Sequence, residues 1–394
     1  MNGNAIIGQS GGPTSVINSS LCGVIQKAAQ SKNIDKIYGM RFAIEGFLNN
    51  EIIDLSAVDA KVIEGLRHTP GSALGSCRHK LQEEDLPVIL ELFKKYDIRY
   101  FFLIGGNDTM DTIHRVEAYC KEKNYNLIGV GVPKTVDNDL FGTDHTPGFA
   151  SAARYVALST QQGGILASDM QRVDKFVIQQ TVGRDAGWLA ASSAMARKRE
   201  GDAPHLIYMP ERPLNRENVL NDVKTVIDKY GWASIVCGEG ITWEDGTPVS
   251  ASQAKDKFSN VEFGAMGGSS AALNLHQLIS NEFGYRGEFQ ITESLPMSAI
   301  DRASEVDLEE AYQCGLKAVE LADEGVTGVM VSMVRESNDP YKIVYKTASL
   351  SDVAIKAKPM PEEYIAECGT DVTQAFIDYL KPLIGSFPTY SILR

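Results

Sequence analysis

Short apolar runs alternate with segments of helical periodicity along most of the chain. Residues 14–30 follow the run NAIIGQ and place Val16, Leu21 and Val24 on one helical face, a spacing typical of an amphipathic helix. Strands are predicted at NAIIGQ, DKIYGM, YFFLIGG, NLIGVGV, KFVIQQTVG, HLIYMP and ASIVCGEGI. Helices are predicted at TSVINSSLCGVIQKAAQ, 109–123, GWLAASSAMARK, NVLNDVKTVIDKYG, GGSSAALNLHQLISNEF and DLEEAYQCGLKAVELADEG. This alternation favours parallel sheets with helices on both faces.

The length of 394 residues is more than one hydrophobic core usually organises, so two domains are expected. We predict an α/β protein with two similar Rossmann-like lobes, each with a parallel-rich sheet flanked by helices, and a chain that crosses between them. One lobe would hold residues 1–145 and roughly 265–305, and the other roughly 146–264 and 306–394. The stretch 245–264 is polar and weakly periodic, which indicates an excursion rather than a helix or strand.

Composition and charge narrow the function. A net charge of −13 argues against a nucleic-acid partner, which would need a basic face, and means that an anionic ligand needs local lysines and arginines. The apolar runs all fall short of the roughly 18 residues that cross a bilayer, so no membrane partner is expected. The six cysteines include no C-x-x-C pair, and MNGNAIIGQ has no signal-peptide pattern. We therefore expect reduced thiols and a cytoplasmic protein.

Polar and glycine-rich segments follow several of the predicted strands. Ligands of open parallel sheets bind at the carboxyl ends of the strands, so these segments are the candidate site. They contain Gly11, Gly12, Gly105, Gly106, Asn107, Asp108, Pro133, Lys134, Thr135, Gly183, Arg184, Glu211 and Glu239.

Two glycine pairs and one arginine suggest a phosphate site. In GQSGGPTSVIN the glycines would let phosphate approach backbone N–H groups at a helix start; the alternative is a tight turn capped by Thr14. In IGGNDTMDT the oxygens of Asn107 and Asp108 could face Mg²⁺ that carries phosphates, or Asp108 could only cap the next helix. Arg78, in TPGSALGSCRHK, could bind phosphate oxygens or be an ordinary surface residue.

The segment PKTVDND carries the most chemistry. Asp137 could accept a proton from a hydroxyl, and Lys134 could neutralise charge on a phosphoryl group in transfer. The alternative is a turn whose acids satisfy backbone N–H groups, and that is our default for Asp139 and Asp144.

Five segments in this order and spacing resemble the phosphofructokinase family: GGPT, GGNDT, PKTVDNDLFGTD, TVGRDAGWLA and the strand-end pair Glu239-Gly240. The likeness extends over residues 5–240 and continues in the helix near 303–325. It implies the phosphofructokinase fold and a Mg²⁺-dependent transfer of phosphate to the 1-hydroxyl of fructose 6-phosphate. The alternatives within the family are an ATP-dependent enzyme and a non-catalytic regulatory subunit.

Two positions resemble the branch of the family that uses pyrophosphate. ATP-dependent members usually carry glycine where this chain has Asp108 and Lys134. A carboxylate at 108 would fill the space of an ATP α-phosphate and repel its charge, whereas a lysine at 134 could contact pyrophosphate. The resemblance also implies that Gly11, Gly12 and Arg78 bind pyrophosphate.

The resemblance assigns the sugar site as well. Asp137 matches the general base, and Thr135 lines the sugar beside it. Glu239 matches the glutamate that holds sugar hydroxyls. Val182, Gly183 and Arg184 match the segment that contacts the sugar phosphate. Lys175 matches a basic residue that reaches the 6-phosphate from a neighbouring subunit, which implies a homodimer or homotetramer.

Two departures from the family pattern bear on the site. Asn107 stands where an aspartate is expected, so a magnesium ion would have an uncharged ligand there beside Asp108. The family's later sugar-phosphate segment is not recognisable, and ITESLPMSAIDRAS, residues 291–304, takes its place. Met297 and Arg302 are the candidates there, with Arg286 as another possible cation. A related ketose phosphate such as sedoheptulose 7-phosphate stays open as the acceptor.

Overall fold

The computed structural model describes residues 1–250, 269–391 and 393, which fall into two units. Unit 1 comprises Met1–Ser151 and Met297–Lys358, and unit 2 comprises Ala152–Pro296 and Pro359–Arg394. The strands are β1 (Gly3–Gln9), β2 (Ile34–Met40), β3 (Ile52–Asp54), β4 (Ile98–Gly105), β5 (Ile128–Pro133), β6 (Phe176–Thr181), β7 (Leu206–Tyr208), β8 (Ala233–Gly238), β9 (Gly287–Ile291), β10 (Val329–Asn338) and β11 (Tyr341–Ser349). The helices are α1 (Ile17–Ala28), α2 (Ala43–Leu48), α3 (Ala60–Gly65), α4 (Asp85–Lys95), α5 (Asn107–Glu122), α6 (Phe149–Asp169), α7 (Trp188–Ser192), α8 (Arg216–Tyr230), α9 (Ala271–Phe283), α10 (Glu305–Asp323), α11 (Leu350–Val353) and α12 (Gln374–Ile384).

Unit 1 is built on a seven-stranded sheet in the order β11-β10-β5-β4-β1-β2-β3. The five inner strands pair in parallel, and the two edge strands, β3 and β11, are antiparallel to their neighbours. Successive residues of β1 enter different cores, since Ala5 and Ile7 pack with α1 whereas Ile6 packs with α4. The sheet is therefore covered on both faces, which explains why its strands read as continuous apolar runs.

Unit 2 has a smaller sheet of four parallel strands in the order β7-β8-β6-β9. The C-terminal segment returns to this unit because its aromatic side chains pack on a buried tryptophan. The ring of Trp188 lies 5.9 Å from that of Tyr364, 6.3 Å from that of Phe376 and 5.6 Å from that of Tyr379. These contacts attach α12 to the short helix α7 that follows β6.

The seven strands predicted from the apolar runs are all present, and helices cover both faces of the larger sheet as the alternation indicated. The predicted division into lobes needs correction at two places. Residues 306–358 belong to unit 1, and the described residues between 269 and 296 belong to unit 2. Of the predicted excursion, residues 251–264 lie outside the described part of the chain. Within the described part, no helix has both the length and the apolar character needed to cross a membrane.

The return of the chain to unit 1 has a clear packing cause. Helix α10 lies against α1 so closely that a Cβ on Gly23 would come 2.3 Å from the carbonyl oxygen of Tyr312. A Cβ on Gly315 would come 2.2 Å from the carbonyl oxygen of Ser20. Strand β10 then pairs with β5. Small residues at this helix crossing therefore fix the late segment to the N-terminal unit.

Candidate functional site

Three loops leave the same edge of the unit 1 sheet, side by side. Strands β1, β4 and β5 are parallel neighbours, with Gln9 opposite Ile104 and Gly105 opposite Pro133. The loops that follow them carry the first glycine pair, the Gly106–Asp108 segment and Lys134 in turn. The rule that ligands bind at the carboxyl ends of parallel strands therefore applies directly to this edge.

Lys134 joins these three loops. Its side chain is only 3% exposed, and its Nζ donates a hydrogen bond of 2.6 Å to the carbonyl oxygen of Gly12. Its backbone N–H donates to the carbonyl oxygen of Gly105 at 3.1 Å. Gly11 has a φ of +76°, and a Cβ there would lie 3.3 Å from the Lys134 ammonium. A larger residue at 11 would be strained and would crowd this ammonium.

The ammonium of Lys134 is buried, so it has lost most of its contact with water. Burial lowers its pKa to about 8, while Asp137 and Asp139 favour the charged form and limit the fall. At neutral pH the side chain is therefore a buried cation. An anion at the glycine loop would compensate the charge and restore the lost solvation.

The second loop offers oxygen ligands. Helix α5 begins at Asn107 after the N-cap residue Gly106, and no side chain of the described residues caps it. Asp108 is exposed in the first helical turn, so it is not the cap that one reading of the sequence suggested. The Oδ1 atom of Asn107 is buried and has no hydrogen-bond partner within the described chain. An unsatisfied buried oxygen beside an exposed carboxylate fits a Mg²⁺ ligand pair.

Mg²⁺ needs few protein ligands when it is bound through substrate phosphates, because it keeps several of its waters. Across the described residues, no group of three or more His, Cys, Asp or Glu side chains is placed to hold a metal. Asn107 and Asp108 remain the candidate ligands.

Arg78 belongs to a segment that is bonded to the first glycine loop. The backbone N–H of Gly11 donates to the carbonyl oxygen of Cys77 at 3.3 Å, and the Ser76 hydroxyl donates to the carbonyl oxygen of Gly11 at 2.5 Å. Arg78 follows directly and is exposed. Helix α1 begins only at Ile17, so the first glycine pair lies in the loop before the helix rather than at its start.

The loop after β5, residues 134–144, carries the candidate base; we call it the Asp137 loop. The backbone N–H of Asp137 donates to Thr135 Oγ1 at 3.2 Å, and Asn138 takes a left-handed φ of +56°. Thr135 forms an isolated bridge with Gly148, and its carbonyl oxygen accepts from Thr146 Oγ1 at 2.9 Å. The loop is thus fixed at its start, and the Asp137 side chain is partly exposed.

A buried charge network holds the other end of this loop, and the sequence reasoning missed it. The imidazole of His145 is fully buried, with Nδ1 2.7 Å from Asp144 Oδ1 and Nε2 2.6 Å from Glu310 Oε2. Burial disfavours its charge, but Glu310 and Asp144 outweigh burial and raise the pKa of His145 to about 9. Arg335 donates to Asp144 at 2.8 Å. Asp144 therefore anchors the loop.

In unit 2 the predicted sugar residues lie at two neighbouring strand ends. Thr181 at the end of β6 is opposite Gly238 at the end of β8. The backbone N–H of Gly183 donates to Glu239 Oε1 at 3.3 Å. The structure thus brings Val182, Gly183 and Arg184 together with Glu239.

Glu293 is a further acidic residue at this place, and no motif pointed to it. It follows β9, which flanks β6 on the side opposite to β8, and its Oε1 accepts from Gln180 Nε2 at 2.8 Å. Burial raises the pKa of Glu239 to about 7, and the charge of Glu293 adds to the rise. The predicted sugar residues of unit 2 therefore lie beside one more carboxyl group than the motifs alone indicate.

The structure does not bring Lys175 to these residues. Lys175 precedes β6, whereas Gly183 follows it, so about 20 Å of extended strand separates them along the chain at roughly 3.3 Å per residue. Its Nζ donates to the carbonyl oxygen of Gly231 at 3.3 Å. Arg286 lies beside it, where its carbonyl oxygen accepts from the Lys175 N–H at 2.7 Å and its Nε pairs with Asp174 at 2.8 Å.

Met297 and Arg302 both belong to unit 1. The sulfur of Met297 lies 3.8 Å from the position that a Cβ would take at Gly12, so this side chain is next to the first glycine loop. Arg302 is partly buried and lies 3.9 Å from the carboxylate of Asp301.

Comparison with known proteins agrees with these motifs. The Phosphofructokinase family model matches residues 4–322. A pyrophosphate–fructose 6-phosphate 1-phosphotransferase of Halomonas elongata is 39% identical over 98% of this chain and 93% of its own length. A sulfofructose kinase of Alkalicoccus urumqiensis is 32% identical over 97% of this chain and 96% of its own. The crystal structure of a pyrophosphate-dependent phosphofructokinase from Marinobacter aquaeolei superposes with a TM-score of 0.88 at 38% identity, covering 99% of this chain and 94% of that one. The predicted fold class is confirmed.

Proposed function

Because the chain belongs to the phosphofructokinase family, we propose that it is a phosphotransferase that uses pyrophosphate and fructose 6-phosphate. The transfer gives fructose 1,6-bisphosphate and phosphate, close to reversibly, as a step of glycolysis or gluconeogenesis. The choice of donor rests mainly on the buried ammonium of Lys134, which donates a hydrogen bond to the first glycine loop. Lys134 follows β5, and the Asp108 segment follows the neighbouring strand β4.

Pyrophosphate would be held by backbone and cations of the three loops. Gly11 and Gly12 leave room for it, Arg78 supplies a forked donor, and Lys134 supplies a buried charge. Asp108 would exclude ATP, because its carboxylate would meet the α-phosphate with charge of the same sign. Asn107 and Asp108 would hold Mg²⁺, which when bound neutralises charge on the phosphates.

The acceptor chemistry would rest on Asp137. Its carboxylate takes the proton of the sugar 1-hydroxyl as that oxygen forms a bond to the transferred phosphorus. The bond to the bridging oxygen of pyrophosphate breaks, and the leaving phosphate takes its electron pair, stabilised by Lys134. Catalysis is then mainly positioning and electrostatics, as is typical of phosphoryl transfer.

Unit 2 would supply the groups that recognise the sugar. Gly183 and Arg184, with Val182, would contact its phosphate, and Glu239 its hydroxyls. Met297 and Arg302, which belong to unit 1, are further candidates for contact with the sugar phosphate. Lys175 lies away from these residues within its own chain, so its role would need a second copy, as homodimer or homotetramer. We place the enzyme in the cytoplasm.

A second acceptor is favoured by Glu293. A phosphate monoester carries about 1.5 to 2 negative charges near neutral pH, whereas a sulfonate carries one. The acidic residues Glu239 and Glu293 oppose the more highly charged group, and Arg184 offsets part of that opposition. Sulfofructose is therefore the second candidate, and a relative at 32% identity carries the name sulfofructose kinase.

The test is a turnover assay with purified protein, Mg²⁺ and pyrophosphate against three acceptors: fructose 6-phosphate, sedoheptulose 7-phosphate and sulfofructose. The proposal expects the highest kcat/KM with fructose 6-phosphate. A higher kcat/KM with sulfofructose would show that sulfofructose is the acceptor, with pyrophosphate still the donor. No turnover with any acceptor would instead favour an ATP-dependent enzyme or a non-catalytic subunit, which the same assay with ATP distinguishes.

A further inference from the structure

Lys358, the last residue of unit 1 in its second segment, lies against the Asp137 loop although more than 200 residues separate them in sequence. We propose that Lys358 is a positioning residue that sets the conformation of the Asp137 loop and thereby the direction of the Asp137 carboxylate. This proposal rests on the proposed function, because it takes Asp137 as the general base.

Lys358 makes four hydrogen bonds to this loop. Its Nζ donates to the carbonyl oxygen of Asp144 at 2.6 Å, to that of Thr143 at 3.1 Å and to Asn138 Oδ1 at 3.3 Å. An ammonium has three N–H donors, so these three acceptors match its capacity. Its backbone N–H donates to the carbonyl oxygen of Asp139 at 2.7 Å. Four hydrogen bonds from one residue therefore span the loop from Asn138 to Asp144.

The main chain beside Lys358 continues the attachment. Ala357 forms an antiparallel bridge with Leu140, a buried residue in the middle of the loop. The loop is thus paired with the main chain at Ala357, and the Lys358 ammonium binds two of its carbonyl oxygens. Without that ammonium, two carbonyl oxygens and one amide oxygen would lose a charged donor, and bonds to charged groups are the stronger class.

The bond to Asn138 connects this support to the chemistry. Asn138 follows Asp137 directly and has a left-handed φ of +56°, a conformation that costs energy for a residue with a side chain. A donor on its amide oxygen stabilises that conformation. Because the backbone turn at 138 orients the preceding residue, Lys358 acts on Asp137 through Asn138.

The charge of Lys358 is maintained against burial. Burial lowers its pKa to about 8, and the carboxylates of Asp144 and Asp139 oppose that fall, whereas Arg335 adds to it. A neutral isostere would remove this charge and leave the aliphatic chain in place. Lys358→Met is therefore the substitution that isolates the ammonium.

The experiment compares Lys358→Met with Lys342→Met, a control on the exposed surface of the same unit whose lysine pairs only at the surface with Glu336. We expect kcat with pyrophosphate to fall by about 10- to 100-fold in Lys358→Met, because a displacement near 1 Å at a reacting group has effects of this size. The KM for pyrophosphate should stay within about twofold, since the groups proposed to bind it lie on other loops or on Lys134. Lys342→Met should behave as wild type.

Amide hydrogen exchange provides a readout that does not depend on activity. Amides of residues 135–144 should exchange at least about tenfold faster in Lys358→Met, whereas those of the first glycine loop should not change. Unchanged exchange in the Asp137 loop would overturn the inference, whatever the activity. Faster exchange together with a wild-type kcat would also overturn it, because Lys358 would then be only structural.

Asn138→Gly keeps the proposal testable if Lys358→Met fails to fold, because glycine accepts the left-handed φ and removes only the amide. Its kcat should fall, and in the double variant the two losses should be less than additive. Full additivity, or an unaffected kcat in Asn138→Gly, would contradict the pathway through Asn138. Wild-type protein that does not turn over pyrophosphate would refute the proposed function, while exchange in the Asp137 loop would still show whether Lys358 sets the conformation of that loop.

Discussion

Replacement of Lys134 by methionine should lower activity without lowering stability. The buried ammonium would bind the substrate, but its burial destabilises the folded protein. Burial lowers the pKa of Lys134 from 10.5 to about 8. This difference corresponds to about 3 kcal/mol by which the folded protein disfavours the ionised side chain at pH 7. Lys134→Met removes that penalty, but it also removes the donor to the carbonyl oxygen of Gly12, a loss of about 1–3 kcal/mol.

The net expectation is a variant that is equally stable or more stable, by about 1 kcal/mol, with a midpoint of thermal unfolding raised by about 2 °C. The pH dependence has a definite sign. The folded pKa lies below the unfolded one, so the penalty is complete below pH 8 and is relieved as pH rises from about 8 to 10.5. Wild type should therefore gain stability relative to Lys134→Met over that range.

Activity should change in the opposite direction. Unit charges about 4 Å apart interact by about 4 kcal/mol at an effective dielectric constant of 20, and each 1.4 kcal/mol changes a rate tenfold. We expect kcat/KM for pyrophosphate to fall by about 10²- to 10³-fold in Lys134→Met, measured by the release of phosphate. The wild-type value should also decline above pH 8 as the ammonium loses its proton. A kcat/KM within about threefold of wild type, or a variant less stable by several kcal/mol, would refute this reasoning.

Three further variants test the base, the choice of donor and the charge network. Asp137→Asn should lower turnover by about 10²- to 10⁴-fold with an unchanged circular dichroism spectrum, and preserved turnover would rule it out as the base. Asp108→Gly combined with Lys134→Gly should lower kcat/KM for pyrophosphate at least about tenfold, and an unchanged rate would count against selection of the donor by charge. His145→Gln should lower stability to urea at pH 6. The folded pKa of His145, about 9, exceeds the ordinary 6.5, so wild type should lose this stabilisation as pH rises from 6.5 through 9; a parallel pH dependence in both proteins would contradict the charge network.

The local parts of the fold and site were predictable from the sequence. The seven predicted strands are short apolar runs bounded by glycine or polar residues, and this signal is contained within about ten residues. The proximity of Gly12 and Lys134 also followed, because the parallel strands β1 and β5, which flank β4, end at one edge of the sheet. The pattern did not predict helix α6, the strands β3, β9, β10 and β11, or the helices α2, α3, α4, α11 and α12.

The remaining features depend on partners that are distant in the chain. The contact of His145 with Glu310 spans 165 residues, and that of Lys358 with Asn138 spans 220. Hydrophobic periodicity indicates which face of an element is buried but not which charged residue will meet it. The same limit explains the misplaced lobe boundaries, because the return of α10 to unit 1 depends on its close packing against α1 at Gly23 and Gly315 and on the pairing of β10 with β5.

The choice of pyrophosphate as donor is tested by comparing product formation with pyrophosphate and with ATP. Purified protein with Mg²⁺ and fructose 6-phosphate is supplied with pyrophosphate in one reaction and with ATP in a second, and fructose 1,6-bisphosphate is measured. We expect product with pyrophosphate and none with ATP, because the buried ammonium of Lys134 attracts the first donor and Asp108 repels the second. Product with ATP and none with pyrophosphate would contradict the choice of pyrophosphate as donor.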